Sequence, residues 1–347
     1  MKAIVIREYG PPDVLRYEDV PDPVPRDGEI RIRVHAATVN RVLDVSLRAG
    51  REQYRGPVLP LIPGVDCAGV VDAVGPHVGR WRAGDRVAAA GVMPLELCAE
   101  DGSGYKGPQG MMGIKRPGGF AELIAVPACA AVAVPEHLDF HHAAVIMRHV
   151  PTAWNLLVHV AELKRGETVL IMGAGGNLGS IGIQIAKNVI GAKVIAAAGS
   201  DERIRLGINL GADYGVNYET RNIREEVLRL THGKGVDVLY DNIANPKVLP
   251  LAFEAIGMDG RLVTAGAHAG PHVSINFSHL YHKRITIKGR PGFTPSDLPD
   301  CLAAAAEGKV VPQIDKIMPL SRAAEAHRLI EDNGGQGKIV LDPTLDA

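Results

Sequence analysis

The sequence holds little that several classes of function require. Its four cysteines, Cys67, Cys98, Cys129 and Cys301, are scattered over 347 residues with no CxxC among them. That spacing argues against a disulfide framework and against a cysteine-rich zinc site, and it predicts a reducing, cytoplasmic setting. No stretch approaches the roughly 20 apolar residues that a bilayer crossing needs. The opening "MKAIVIREYG" reads as a strand and turn, without the apolar core of a signal peptide. Net charge is −1 and no long block of one sign occurs, so neither nucleic acid nor a membrane is expected as a partner. What remains, with 46% hydrophobic and 22% charged residues, is a globular chain long enough for two domains.

The texture changes along the chain. Up to about Val134 short β-like runs such as "EIRIRVHAATV", "CAGVVDAVG" and "FAELIAVP" are broken by Gly and Pro, the pattern of a β-barrel or sandwich. The run from Met93 to Gly119 is a long, Gly-rich loop without periodicity. From about Val150, buried-strand runs ("TVLIM", "AKVIAAA", "GVDVLYD", "GRLVTAG") alternate with helical patterns, which predicts a parallel sheet covered by helices. Two more helical stretches and the strand "GKIVLD" close the chain.

The stretch "LIMGAGGNLGSIGIQIAK" joins the first of these strands to a helix that opens near Leu178. Gly173, Gly175, Gly176 and Gly179 permit a tight turn and a close backbone approach, and the helix N-terminus offers N–H groups to a pyrophosphate. Between a strand and a helix of an alternating unit, these glycines predict dinucleotide binding. An acid that binds the ribose of NAD belongs about 20 residues further on. Ala198, Gly199 and Ser200 stand there, followed by Asp201, Glu202 and Arg203. A neutral strand end with Ser200 and Arg203 in reach suits a 2′-phosphate and hence NADP(H). Two alternatives stand beside this reading: Asp201 caps the next helix, or it turns inward and selects NAD(H).

The order of parts resembles the medium-chain dehydrogenase/reductase superfamily, nearest its zinc-independent quinone oxidoreductase branch. The resemblance covers the whole chain and rests on "VNRVLDVSLRAG", "PGVDCAGVVDAVG", "RAGDRV", "PGGFAEL", "PTAWNLL", the glycine stretch and "LGADYGVNY". It implies a GroES-like β-barrel catalytic domain (residues 1–149 and 289–347) and a doubly wound Rossmann domain with a parallel sheet (150–288). It also implies a homodimer, joined through "GRLVTAG" and an added edge strand in "VSINF".

In the zinc alcohol dehydrogenase branch a Cys, a His and a third ligand hold the catalytic metal. The matching positions here are Asn40, Val65 and the neighbourhood of Arg148, which do not make a zinc site. The resemblance therefore implies NADPH-dependent hydride transfer, without zinc, to a quinone or an α,β-unsaturated carbonyl. The small-molecule substrate can then be an enone, enal or unsaturated acid, and Arg148 would suit an anionic one. The alternatives are a zinc alcohol dehydrogenase with unusual ligands and a non-catalytic NADPH-binding protein. Expected near the reaction are Asn40 as a carbonyl donor, Asp44 on the same helical face or paired with Arg41 or Arg48, Tyr54, Arg148, His149 as a proton source, and Arg290. Expected at the cofactor, besides the four glycines, are Thr152, Asn177, Leu178, Ser200, Arg203, Tyr218, Asn242, Gly266 and Ala267.

Overall fold

The computed structural model describes residues 1–51, 59–91, 110–293, 295–333 and 337–346. The chain divides into two units: Met1–Arg148 with Leu298–Ala306 and Gln313–Ala347, and His149–Asp297 with Glu307–Pro312. The chain thus returns to the first unit at Leu298 and not at residue 289, because Thr286–Gly289 is still a strand of the second unit's sheet.

The first unit is built on a seven-stranded sheet. Its order is Ile314–Pro319, Lys338–Asp342, Glu29–Thr38, Asp66–Val74, Arg86–Ala90 and Ala131–Ala133, with Leu123–Pro127 also paired to Glu29–Thr38. Pairing is antiparallel except between Ile314–Pro319 and Lys338–Asp342. Alternation in "EIRIRV" puts Ile30, Ile32 and Val34 in a core shared with Ile4, Val71, Phe120 and Ile339. The closing strand "GKIVLD" is buried along its length, and it carries Lys338 into that interior.

In the second unit six parallel strands take the order Tyr214–Asn217, Lys193–Ala198, Thr168–Met172, Val236–Tyr240, Ile256–Thr264 and Thr286–Gly289. The strand order reverses between Thr168–Met172 and Val236–Tyr240, and ligands of such sheets bind at that crevice, outside the carboxyl ends of the strands. Thr286–Gly289 forms one edge, so the run "GRLVTAG" is an interior strand. The alternation of "VSINF" does not make a strand. Asn276 ends it by capping the helix Phe277–His282, its Oδ1 accepting from the His279 N–H at 3.1 Å.

Among the described residues no helix is long and apolar enough to cross a membrane. Cys67 and Cys301 are buried thiols outside any disulfide, whereas Cys129 carries a disulfide, which the scattered spacing gave no reason to expect. Tyr54, Cys98 and most of the long Gly-rich loop lie outside the described residues.

Candidate active site

The glycine turn of the second unit is shaped for a ligand. Gly173 has φ +73°, a left-handed conformation that favours glycine, and its carbonyl accepts from the Gly176 N–H at 2.8 Å. Gly176 opens the helix Asn177–Gln184. A Cβ on Gly179 would lie 2.1 Å from the Gly173 carbonyl oxygen, so the helix packs against the turn only with glycine there. The first-turn N–H groups of Asn177, Leu178 and Gly179 form the electropositive end of that helix. The turn, together with the sheet's reversal point, fits a dinucleotide pyrophosphate.

One turn further along the sheet, Ser200, Arg203 and Tyr218 gather around Gly199. The Ser200 hydroxyl caps the helix Asp201–Asn209 by accepting from the Arg203 N–H at 3.4 Å. The Arg203 stem lies over the glycine turn, where a Cβ on Gly175 would come within 2.6 Å of its Cγ. The Tyr218 ring lies against Gly199, and burial pushes its phenol upward while the Arg203 charge opposes that shift. Asp201 neither caps the helix nor stands free: its Oδ1 accepts from Asn217 Nδ2 at 2.8 Å. The acid that could have met a ribose is therefore tied to the neighbouring strand.

At the carboxyl ends of the next strands, Asn242 Oδ1 accepts from the Ala265 N–H at 2.7 Å and holds the Gly266–Ala267 loop close. Asn242 Nδ2 is buried and makes no close hydrogen bond among the described residues, and the Asn242 side chain lies near the Tyr240 phenol, where it favours the ionised form. Asp241 beside it accepts from the Ala244 N–H at 2.8 Å, and burial pushes its carboxyl upward. Thr152 is buried in this unit. The Arg290 backbone N–H donates to the Thr264 carbonyl at 3.0 Å, and its side chain is exposed.

In the first unit the structure brings together Thr38, Asn40, Asp44, Asp66 and Lys338, all buried. Lys338 Nζ donates to Asn40 Oδ1 at 2.6 Å. Asn40 Nδ2 donates to Asp66 Oδ2 at 3.0 Å and reaches Thr38 Oγ1 at 3.2 Å. Thr38 gives Asp66 its backbone N–H at 2.8 Å and its hydroxyl at 2.7 Å. Asp44 Oδ2 accepts from the Asn40 backbone N–H at 2.8 Å, closing the π-helical turn Arg41–Val45. Burial, with the Asp66 charge adding to it, pushes the Asp44 carboxyl up to about 7. Burial also raises Asp66, against the pull of Lys338 and the Thr38 and Asn40 donors. Lys338 is pushed down to about 8 by burial, which outweighs the pull of the two carboxyl groups, and Arg148 lowers it further.

This cluster corrects one sequence expectation and decides between the two alternatives of another, joining Asp44 to Asn40. The Asn40 amide is spent inside the unit on Asp66 and Lys338, so it is not a free donor to a substrate carbonyl. Asp44 pairs with neither Arg41 nor Arg48; Arg48 forms its ion pair with Glu331 on the helix Ala323–Asn333. Arg148 lies within electrostatic reach of Lys338, and the two units divide between Arg148 and His149. Asp66 and Lys338 are the members that sequence reading missed. Asp66 lies inside "PGVDCAG" and Lys338 near the start of the strand "GKIVLD", and neither has a local signal that marks it as a buried charge.

At the positions matched to the zinc ligands, a catalytic zinc does not fit. Val65 is apolar, Asn40 is gripped by an ammonium that would repel a cation, and no group of three His, Cys, Asp or Glu among the described residues could hold a metal. A nicotinamide dinucleotide does fit, at the glycine turn, the Gly199 cluster and Asn242.

In sequence and fold the chain is similar to known proteins. Residues 26–136 match the alcohol dehydrogenase GroES-like domain, and residues 177–307 match the zinc-binding dehydrogenase family. The chain is 33% identical to the quinone oxidoreductase of Sus scrofa, over 98% of this chain and 97% of that one. It superposes on a solved NAD-dependent alcohol dehydrogenase with a TM-score of 0.88 and 36% identity, covering 99% of each chain. The Escherichia coli quinone oxidoreductase, solved in complex with NADPH, gives a TM-score of 0.79 at 26% identity, covering 99% of this chain and 100% of that one. The chain is thus a member of the medium-chain dehydrogenase/reductase superfamily, an oxidoreductase with a GroES-like domain and a Rossmann-type parallel sheet.

Proposed function

We propose that the chain is an NADPH-dependent, zinc-independent reductase acting on quinones or on C=C bonds conjugated to a carbonyl. The observation that supports the reading is the fate of the position matched to the first zinc ligand: Asn40 is locked between Lys338 and Asp66, so that position holds out no ligand for a metal that would polarise an alcohol or a ketone. Chemistry then depends on hydride placement and on hydrogen-bond donors for the charge that develops. When bound, the cofactor supplies a hydride to the β carbon of the acceptor. The chain's share is to orient that cofactor, through the glycine turn, Asn242 and the Gly266–Ala267 loop, and to offer Arg148 to an enolate oxygen or a substrate carboxylate. The preference for NADPH is supported by Arg203, Ser200 and Tyr218 around Gly199, with Asp201 tied away to Asn217. The NADPH-bound Escherichia coli relative points the same way.

A second reading, oxidation of an alcohol with NAD, is favoured by the likeness to the NAD-dependent alcohol dehydrogenase. A panel of quinones, enones, enals and alcohols, assayed with each cofactor and with the zinc content of the same sample, separates the two. The proposal expects NADPH consumption with a quinone or an enone and no stoichiometric zinc. Alcohol oxidation by a zinc-loaded protein would overturn it, and no turnover on any of the panel would leave a non-catalytic NADPH-binding protein.

A further inference from the structure

The cluster in the first unit holds two buried carboxyl groups but treats them unequally. Asp66 receives three donors, from the Thr38 N–H, the Thr38 hydroxyl and Asn40 Nδ2, at 2.7 to 3.0 Å. Asp44 receives the Asn40 N–H on Oδ2, and the Asn40 side chain also favours its charged form, while its Oδ1 is buried with no hydrogen-bond partner among the described residues. A buried carboxylate needs donors on both oxygens, whereas a carboxylic acid tolerates fewer. Within the hydrogen-bonded cluster one ammonium, Lys338, faces two carboxyl groups, and a single positive charge offsets a single negative one.

We propose that Asp44 is the proton-carrying acid of this cluster, set beside an ionised Asp66 and a charged Lys338, and that its proton controls how firmly the Asn40–Val45 turn is held. Asp44 acts through Asn40 and is a positioning residue, since it is sealed from solvent. With the proton in place, the Asn40 N–H is held by a neutral acid and the cluster keeps one net negative partner for Lys338. Without it, a second negative charge lies beside Asp66 and Oδ1 has no donor. Burial and Asp66 place that loss near neutral pH, at about 7. The charged groups around the turn come from four elements. Asp66 is on the strand Asp66–Val74, Lys338 on Lys338–Asp342, Arg148 on the helix Phe140–Trp154, and His327 and Glu331, both facing Arg48, on Ala323–Asn333.

The test is infrared difference spectroscopy of the intact protein, without cofactor or substrate, stepped from about pH 5 to about pH 9 through the C=O stretch of protonated carboxyl groups. A band lost near neutrality is expected in the wild type and should be missing in Asp44→Asn. Asp66→Asn removes a neighbouring negative charge, so the midpoint should fall. Lys338→Gln keeps a donor for Asn40 but removes the positive charge, so the midpoint should rise. Each displacement should be on the order of one pH unit, a tenfold change in proton affinity. A band that survives Asp44→Asn and disappears in Asp66→Asn would overturn the assignment. Midpoints that stay fixed or move together would do the same, and they decide the matter if Asp44→Asn does not fold. The pH profile of turnover, which rests on the reductase reading, should follow the same three midpoints if the turn serves the reaction. Because the infrared measurement uses no substrate, its failure is distinct from a failure of that reading.

Discussion

Replacing Arg203 by alanine should change which cofactor the protein prefers. Its stem lies over Gly175 and its charge acts on Tyr218, so the guanidinium is placed at the strand end where NADPH and NADH differ. A hydrogen bond to a charged group is worth roughly 1.5–3 kcal/mol. Arg203 is exposed, and solvent and salt screen such a contact, so the lower end of that range applies. About 1.4 kcal/mol is a factor of ten. The dissociation constant for NADPH, measured by calorimetry or by quenching of the cofactor's fluorescence, should therefore rise about tenfold or more in Arg203→Ala. That for NADH should stay nearly unchanged. The wild type should also lose NADPH affinity faster than NADH affinity as salt is raised, and the variant should lose that difference. Equal weakening of both cofactors would mean that Arg203 supports the fold of the turn and does not bind a 2′-phosphate.

Three further outcomes are expected. His327 is fully buried with both ring nitrogens unpartnered among the described residues, and burial, aided by the Arg48 charge, pushes it down to about 3. Its folded value lies below the unfolded one, so the unfolded chain takes up a proton first and stability is lost as pH falls from about 6.5 towards 3, by at most about 5 kcal/mol. His327→Leu should flatten that acid limb in denaturant melts, and an unchanged limb would place the acid sensitivity elsewhere. Arg148→Met should lower kcat/KM on the best acceptor about a hundredfold, as for one lost oxyanion donor, with NADPH affinity within about twofold; a lowered melting temperature with normal turnover would show a structural role instead. The strand Thr286–Gly289 is an exposed sheet edge, and we expect it to pair with a second copy to form a homodimer. Light scattering should then give a dimer, and Ile287→Pro should give a monomer; a monomeric wild type at about 10 µM would contradict this.

The parts of this architecture that sequence made legible are those whose cause is local. A strand, a glycine turn and a helix follow one another in "TVLIMGAGGNLGSIGIQ", and the constraint on each glycine comes from atoms a few residues away, as with Gly179 against the Gly173 carbonyl. The cap of the next helix falls one residue from where the sequence suggests it: Ser200 takes the place that Asp201 could equally have filled. The buried cluster was not readable in this way. Lys338 meets Asn40 across a separation of 298 residues, and nothing in "GKIVLD" distinguishes a lysine that enters the core from one that snorkels to water. The segment "VSINF" misled for a related reason. Alternating apolar residues state a period but not a partner, and the next strand of the sheet is supplied by Thr286–Gly289. Asp201 shows the same limit at short range, because whether it caps, turns inward or pairs sideways is decided by Asn217 on the adjacent strand.

The most direct test of the proposed reaction is where the hydride goes. NADPH carrying deuterium at the transferable C4 position is supplied with a simple enone, and the product is analysed by NMR and mass spectrometry. The proposal predicts a saturated ketone with one deuterium at the β carbon, and the α hydrogen drawn from solvent. Deuterium on the carbonyl carbon of an allylic alcohol would show carbonyl reduction instead, and would contradict the account.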